Sequence, residues 1–332
     1  MRGARRAALF GFAAVLAGCV CAALWLRYAL HEDRRLPRTE TVVIVPAGAS
    51  GHDVARLLQS SGIIGSAAQF ELLARVKRQQ SAMKAGEFDF APHLSMAQVL
   101  RQVVAGGRQV AVWVTIPEGF TAKEIARTLA AHALGQAAAF QAVFLHTHFD
   151  IDGVRAPTLE GYLFPDTYLI PTNAAPAQIA GILTDQFRKE LPADATVQAK
   201  HLGYSVPQIV TLASLIEREA KADDERALMA GVYYNRLRLG MPLEVDATIE
   251  YTFAHHKDTI TYADLARDSP YNTYKHTGLP PTPIANPGRP SLVAALHPRK
   301  SGYLYYVYMG NGHHAFSRTL AEHNANVARY LH

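Results

Sequence analysis

Cysteine is nearly absent from this chain of 332 residues: Cys19 and Cys21 are the whole supply, and both lie in an apolar N-terminal stretch. The body beyond residue 21 therefore has neither a disulfide framework nor a thiolate metal site. No HExxH pattern occurs. The histidine pairs His255-His256 and His313-His314 are adjacent in sequence, so their rings diverge on a helix or strand and make poor metal clamps. No metal and no cofactor is expected. C2H2 spacing, an RNP-like motif and long Lys/Arg blocks are also missing, which argues against nucleic acid. The formal net charge is only +5, a mild basic bias that suits an anionic polymer or surface without selecting one.

The longest run free of both charged and strongly polar side chains is at the N-terminus. After Arg2, Arg5 and Arg6, the run AALFGFAAVLAGCVCAALWL (Ala7 to Leu26) carries no charge. About 20 apolar residues span a hydrocarbon core as a helix. The expected reading is a short tail over residues 1–6 and an uncleaved membrane helix over 7–27. A cleaved signal would have a shorter apolar core. LAGC, Leu16 to Cys19, resembles the box before a lipid-modified cysteine, but the sequence stays apolar after it. Arg27, Arg34, Arg35 and Arg38 follow the run, so charge counting alone leaves the orientation open.

At 49% hydrophobic and 18% charged residues, the rest has the composition of a folded protein long enough for two modest domains. VIVPAGASGHDVARLL (Val43 to Leu58) is echoed by VTIPEGFTAKEIARTL (Val114 to Leu129). Both predict a strand, a Pro-x-Gly turn and a helix capped by Ser or Thr. Two copies are too few for a solenoid. Helices near Ala67–Arg78 and Ser95–Ala105 and a strand near Gly86–Phe90 are predicted between them. The first copy with its second helix and strand would form a β-α-α-β unit over residues 41–108, similar to the LysM modules that bind N-acetylated glycans. The remainder, 109–332, reads as a mixed α+β domain, making the whole α+β with an N-terminal transmembrane helix.

Polar residues gather with aromatics in this second part. LEGYLFPDTYLIP (Leu159 to Pro171) holds Glu160 and Asp166 among tyrosines, and GMPLEVDATIEYTF (Gly240 to Phe253) holds Glu244, Asp246 and Glu250. SPYNTYKHTGLPPTPIANPG (Ser269 to Gly288) is too rich in Pro and Gly for a helix and predicts a long structured loop. Aromatic rings beside amides and carboxylates suit sugars, although Tyr and Phe are equally good core residues. The segment LASLIEREA (Leu212 to Ala220) reads as an amphipathic helix with Ile209, Leu212, Leu215, Ile216 and Glu219 on one face. Glu217 falls beside Val210, Ala213 and Ala220. Periodicity does not choose between Glu217 and Glu219 as a working acid.

Resemblance goes further. LEGYLFPDTY, LASLIEREA, GVYYNRLRLGMPLEVDATIEY, SPYNTYKHTGLPPTPIANPG, AALHP, YLYYV and HHAFSRTLAEHN look like the signature blocks of the endolytic murein transglycosylases, the MltG or YceG-like family. The blocks occur in the family's order from about Val42 to the C-terminus. The resemblance implies a single-pass protein of the bacterial inner membrane with a periplasmic LysM-like module and a catalytic domain. Its substrate would be nascent peptidoglycan strands, cut between N-acetylmuramic acid and N-acetylglucosamine to leave 1,6-anhydro ends and stop elongation. Penicillin-binding synthases are the implied protein partners.

The family's catalytic glutamate corresponds to Glu217. By implication it protonates the glycosidic oxygen, and its carboxylate then takes the proton of the muramyl C6 hydroxyl, which closes onto C1. Glu160, Asn235, Asp246, Asn272 and Tyr274 are candidate substrate-binding residues because they lie in the matching blocks. One departure is that Glu244 and Ala247 stand where Gln and Pro are expected in many relatives, which puts the contacts of that loop in question. Two other classes stay open: a non-catalytic peptidoglycan-binding scaffold for synthases, and a muramidase that hydrolyses the same bond.

Overall fold

A computed structural model describes residues 39–331 except 47, 109, 254–256, 258 and 259, together with Val20. Apart from Val20, the expected membrane helix lies outside the described residues. So do the tail before it, Cys19 of the LAGC box, and the pair His255-His256. Among the described residues no helix is long and apolar enough to cross a membrane. The described chain is a mixed α+β protein of two compact units. One runs to Val112 and includes Pro171–Ala175; the other comprises Trp113–Ile170 and the chain from Pro176 onward.

In the first unit, β1 (Thr41–Val45) is followed by α1 (Gly51–Ser60), α2 (Ala67–Val76), β2 (Gly86–Phe90) and α3 (Met96–Ala105). The strands pair antiparallel, from Thr41 opposite Phe90 to Val45 opposite Gly86. Alternation along them sends Val43, Val45, Phe88 and Phe90 inward. The helices answer with Val54 and Leu58, Phe70 and Leu73, and Val99, Leu100 and Val103, at helical spacing. Each such side chain contributes roughly 1.5–3 kcal/mol when fully buried. Ser50 with Asp53 and Ser95 with Gln98 close capping boxes that fix where α1 and α3 begin.

β3 (Ala111–Thr115) spans the boundary between the units. The elements after it are α4 (Ala122–Ala131), α5 (Ala137–His146), β4 (Phe149–Ile151), β5 (Val154–Ala156), β6 (Thr167–Pro171), α6 (Pro176–Glu190) and α7 (Ala195–Leu202). Then come α8 (Val206–Glu219), α9 (Asp223–Arg238), α10 (Asp246–Glu250), α11 (Tyr262–Leu265), α12 (Arg289–Leu296), β7 (Tyr305–Tyr308), β8 (His314–Ser317) and α13 (Leu320–Tyr330). The strands form two-stranded ladders, β3 with β6, β4 with β5 and β7 with β8.

The centre of the second unit is α8, and it departs from the amphipathic helix expected. Every residue from Ile209 to Ile216 is buried, because α9 and α12 pack against it while the long loop covers another side. Ser214 ties that loop down, its Oγ donating to Thr211 O at 2.7 Å and accepting the N–H of Ile284 at 3.1 Å. The segment between α11 and α12 contains no helix or strand, as its Pro and Gly content predicts. Its last stretch is nevertheless buried throughout, from 282 to 288, and Asn272, Ala285 and Asn286 have no exposed surface.

Candidate active site

The last turn of α8 and the first turn of α9 meet around one carboxylate. α8 starts at a capping box between Ser205 and Gln208 and stops when Ala220 turns extended. That stop lets the chain reverse into α9, whose first turn holds Asp223, Asp224 and Glu225, the charge a helix N-terminus favours. Arg226 lies one turn in and reaches back. Its Nη1 donates to Glu217 Oε1 at 3.1 Å and to Ser291 Oγ at 2.6 Å, while its Nε donates to Asp223 Oδ1 at 2.9 Å. The other Glu217 oxygen accepts the N–H of Gly288 at 2.9 Å. The Glu217 side chain is 5% exposed and that of Arg226 10%, so this ion pair is largely sheltered from water.

Two loops build the remaining wall. Pro117–Phe120 lies against the segment Ala285–Gly288, with Gly119 N–H donating to Asn286 O at 3.0 Å and Asn286 N–H to Phe120 O at 2.9 Å. The Asn286 side chain uses its full hydrogen-bonding capacity. Its Nδ2 donates to Phe120 O at 2.8 Å and Glu160 Oε1 at 3.0 Å, and its Oδ1 accepts the N–H groups of Gly161 at 2.9 Å and Leu163 at 2.8 Å. Arg218 grips the same turn from the other side, donating to Gly119 O at 3.2 Å and to Glu250 Oε2 at 2.9 Å. The turn brings Glu118 to the Glu217 site. Although Glu118 keeps much of its surface exposed, partial desolvation, and next the charge of Glu217, raise its carboxyl above the ordinary range against the opposing pull of Arg226.

Openings flank this arrangement. One groove is lined by Asp223, Arg226, Arg289, Pro290, Val293 and His297. A second is lined by Thr121, Lys123, Arg218, Glu250, Tyr251 and Phe253. Glu217 lines neither wall itself. Arg226, which holds it, belongs to the first, and Arg218, its chain neighbour, to the second.

A model of the YceG-like family matches residues 43–329. The chain belongs to the YceG-like family. It is 34% identical over 313 residues to a Bacillus subtilis protein named endolytic murein transglycosylase, covering 89% of this chain and 86% of that one. A Streptococcus pneumoniae protein of the same name is 29% identical over 320 residues, covering 86% of this chain and 58% of its own length. A solved YceG-like protein from Listeria monocytogenes superposes with a TM-score of 0.58 at 32% identity, covering 87% of this chain and 99% of that one.

Within the YceG-like domain the remaining sequence candidates fall into four places. Glu160 is buried beneath the Glu118 turn, accepting the Ala122 N–H at 2.9 Å and the Tyr251 hydroxyl at 3.2 Å besides Asn286; its burial pushes it up to about 7. Asp246 and Tyr274 join each other, the tyrosine hydroxyl donating to Oδ1 at 2.6 Å. Asn235 and Asn272 brace backbone. The first donates to Ser301 O and Tyr303 O at 2.9 and 3.0 Å, and the second to Leu265 O and Arg267 O at 2.9 and 2.7 Å. Glu219 takes a Tyr306 hydroxyl at 3.2 Å, and burial, helped by the Asp246 charge, pushes it up to about 7. His314 is locked to Glu225, with its N–H at 2.8 Å and its Nδ1 at 2.9 Å from the two carboxylate oxygens.

Glu118, Arg226, Asn286 and Gly288 were not singled out by the sequence reading. A signal for Glu118 existed: the two strand-turn-helix copies read Pro46-Ala47-Gly48 and Pro117-Glu118-Gly119, so a carboxyl stands where the first copy has a methyl group.

Proposed function

We propose that this protein is an endolytic murein transglycosylase, a carbon–oxygen lyase that cuts within peptidoglycan glycan strands. The observation that carries the reading is the sheltered Glu217 carboxyl, held by Arg226 and the Gly288 N–H, in a chain 34% identical to a named enzyme over 89% of its length. Glu217 is the acid. It protonates the oxygen between N-acetylmuramic acid and N-acetylglucosamine as the C1–O bond breaks, and the muramyl C6 hydroxyl closes onto C1 to leave a 1,6-anhydro end. General acid catalysis of this kind contributes about 10²–10⁴-fold. The oxocarbenium-like state needs negative charge or dipoles nearby, and Glu217 becomes a carboxylate there as it gives up its proton.

The uncharged run Ala7–Leu26 supports a single-pass inner-membrane anchor with the rest of the chain in the periplasm. The β-α-α-β order of residues 41–90 supports a LysM-like glycan-binding unit ahead of the catalytic domain. Nascent strands from penicillin-binding synthases are then the substrate, and strand termination the outcome.

Incubating the full-length protein in detergent with uncrosslinked peptidoglycan, and separating the products by mass, tests this. New 1,6-anhydro-muramyl ends are expected. Reducing ends in their place identify a muramidase, and binding without any cleavage identifies a scaffold.

A further inference from the structure

The Glu217 site contains a second carboxyl. Glu118 stands at the tip of the Pro117–Phe120 turn with its side chain over the Cα of Gly288. A Cβ built on that glycine would fall 1.8 Å from Glu118 Oε1 and 2.3 Å from its Cδ. The N–H of the same glycine donates to Glu217 Oε2 at 2.9 Å, so one residue touches both carboxyls. Gly288 has φ −74° and ψ 169°, which any residue adopts, so it is the Glu118 carboxyl that excludes a side chain there.

Gly119 closes the opposite side. It has φ +78°, and a Cβ on it would lie 3.7 Å from Glu217 Cγ. The turn is clamped by the paired Gly119 and Asn286 backbones and by Arg218. Among the described residues Glu118 makes no hydrogen bond of its own, and it is exposed. A rigidly carried carboxyl with free oxygens beside an acid is placed to handle a proton, whereas the Glu217 oxygens are both engaged.

We propose that Glu118 is a second catalytic carboxyl of the lytic reaction, a role that rests on the function proposed above. Glu217 gives its proton to the glycosidic oxygen as the bond to C1 breaks. The C6 oxygen of the same muramyl residue bonds to C1, and its proton passes to the Glu118 carboxylate. No water or other reactant is consumed. The pair carries one proton before and after cleavage, and its return from Glu118 to Glu217 closes the cycle.

The test is the pH dependence of kcat for the full-length protein and its Glu118→Gln, Gly288→Ala and Glu217→Gln variants on uncrosslinked strands, scored by 1,6-anhydro ends. In the parent the profile is bell-shaped, because at low pH both carboxyls are protonated and at high pH neither is. Glu118→Gln is expected to lower kcat at least about 10²-fold, leave KM nearly unchanged and remove the acidic limb. Gly288→Ala displaces the flexible end of Glu118 without straining the backbone, and it is expected to lower kcat with the fold retained. A folded, inactive Glu217→Gln beside a Glu118→Gln with parental rate and profile overturns the proposal alone and returns both proton transfers to Glu217. A folded and active Glu217→Gln overturns the underlying reading as well.

Discussion

Two glutamates two residues apart on one helix show how much a single residue's partners decide. Glu217 and Glu219 both end α8 in sheltered surroundings, yet Glu217 meets Arg226 and a backbone N–H, while Glu219 meets a tyrosine hydroxyl. Replacing Glu217 by Gln leaves an amide NH₂ facing either Arg226 or the Gly288 N–H, so the variant should lose about 1–3 kcal/mol as well as its activity. Urea unfolding and anhydro-end formation measure the two losses; a parental rate from folded Glu217→Gln would remove the acid assignment. For Glu160 and Glu219 the folded value is raised from 4.5 to about 7. Their stabilising contribution is complete below about 4.5 and is lost as pH rises through about 7, by up to about 3 kcal/mol per group. Thermal melts should therefore fall in midpoint from pH 4.5 to 8, and Glu219→Gln should flatten the fall. A slope unchanged in the variant would mean that Glu219 ionises freely in the folded state. None of this separation was legible in the helix pattern, because the deciding neighbours come from elsewhere: Gly288 is 71 residues away.

Elements were more legible than sites. Caps, alternation and turn residues marked β2 and α3 almost to the residue and gave β1 and α1 in the right order around Val43–Leu58, since those signals are local. The long Pro- and Gly-rich loop was also legible as a loop. Its burial was not, because whether a loop is covered depends on long-range packing. Asn286 illustrates the point. Its amide joins the Glu118 turn, Glu160 and the N–H groups of Gly161 and Leu163, none near it in sequence. Asn286→Ala would leave several buried backbone groups unpaired, and it should lower stability by at least about 2 kcal/mol with an unchanged urea m-value. An unaltered urea midpoint would show that the two loops hold together without it. Asn272, chosen from the same loop on resemblance, braces the loop's own backbone instead, which a block motif does not distinguish from a substrate contact.

At the scale of the whole molecule, the proposed function calls for a membrane anchor, a glycan-binding unit and a cutting domain on one chain. Linked modules share a strand through effective concentration. Removing residues 41–90 should thus weaken binding to long strands while leaving cleavage of short fragments largely intact. Loss of short-fragment cleavage by a folded remainder would make that unit part of the catalytic machinery. The family could be read from ordered sequence blocks, whereas the pairing of Glu118 with Glu217 required the fold. What distinguishes this reaction from hydrolysis is that the attacking oxygen belongs to the sugar. Cleavage carried out in ¹⁸O-enriched water with the full-length protein tests that directly: the account predicts 1,6-anhydro ends containing no solvent oxygen, and a reducing end carrying one ¹⁸O per cut would contradict it.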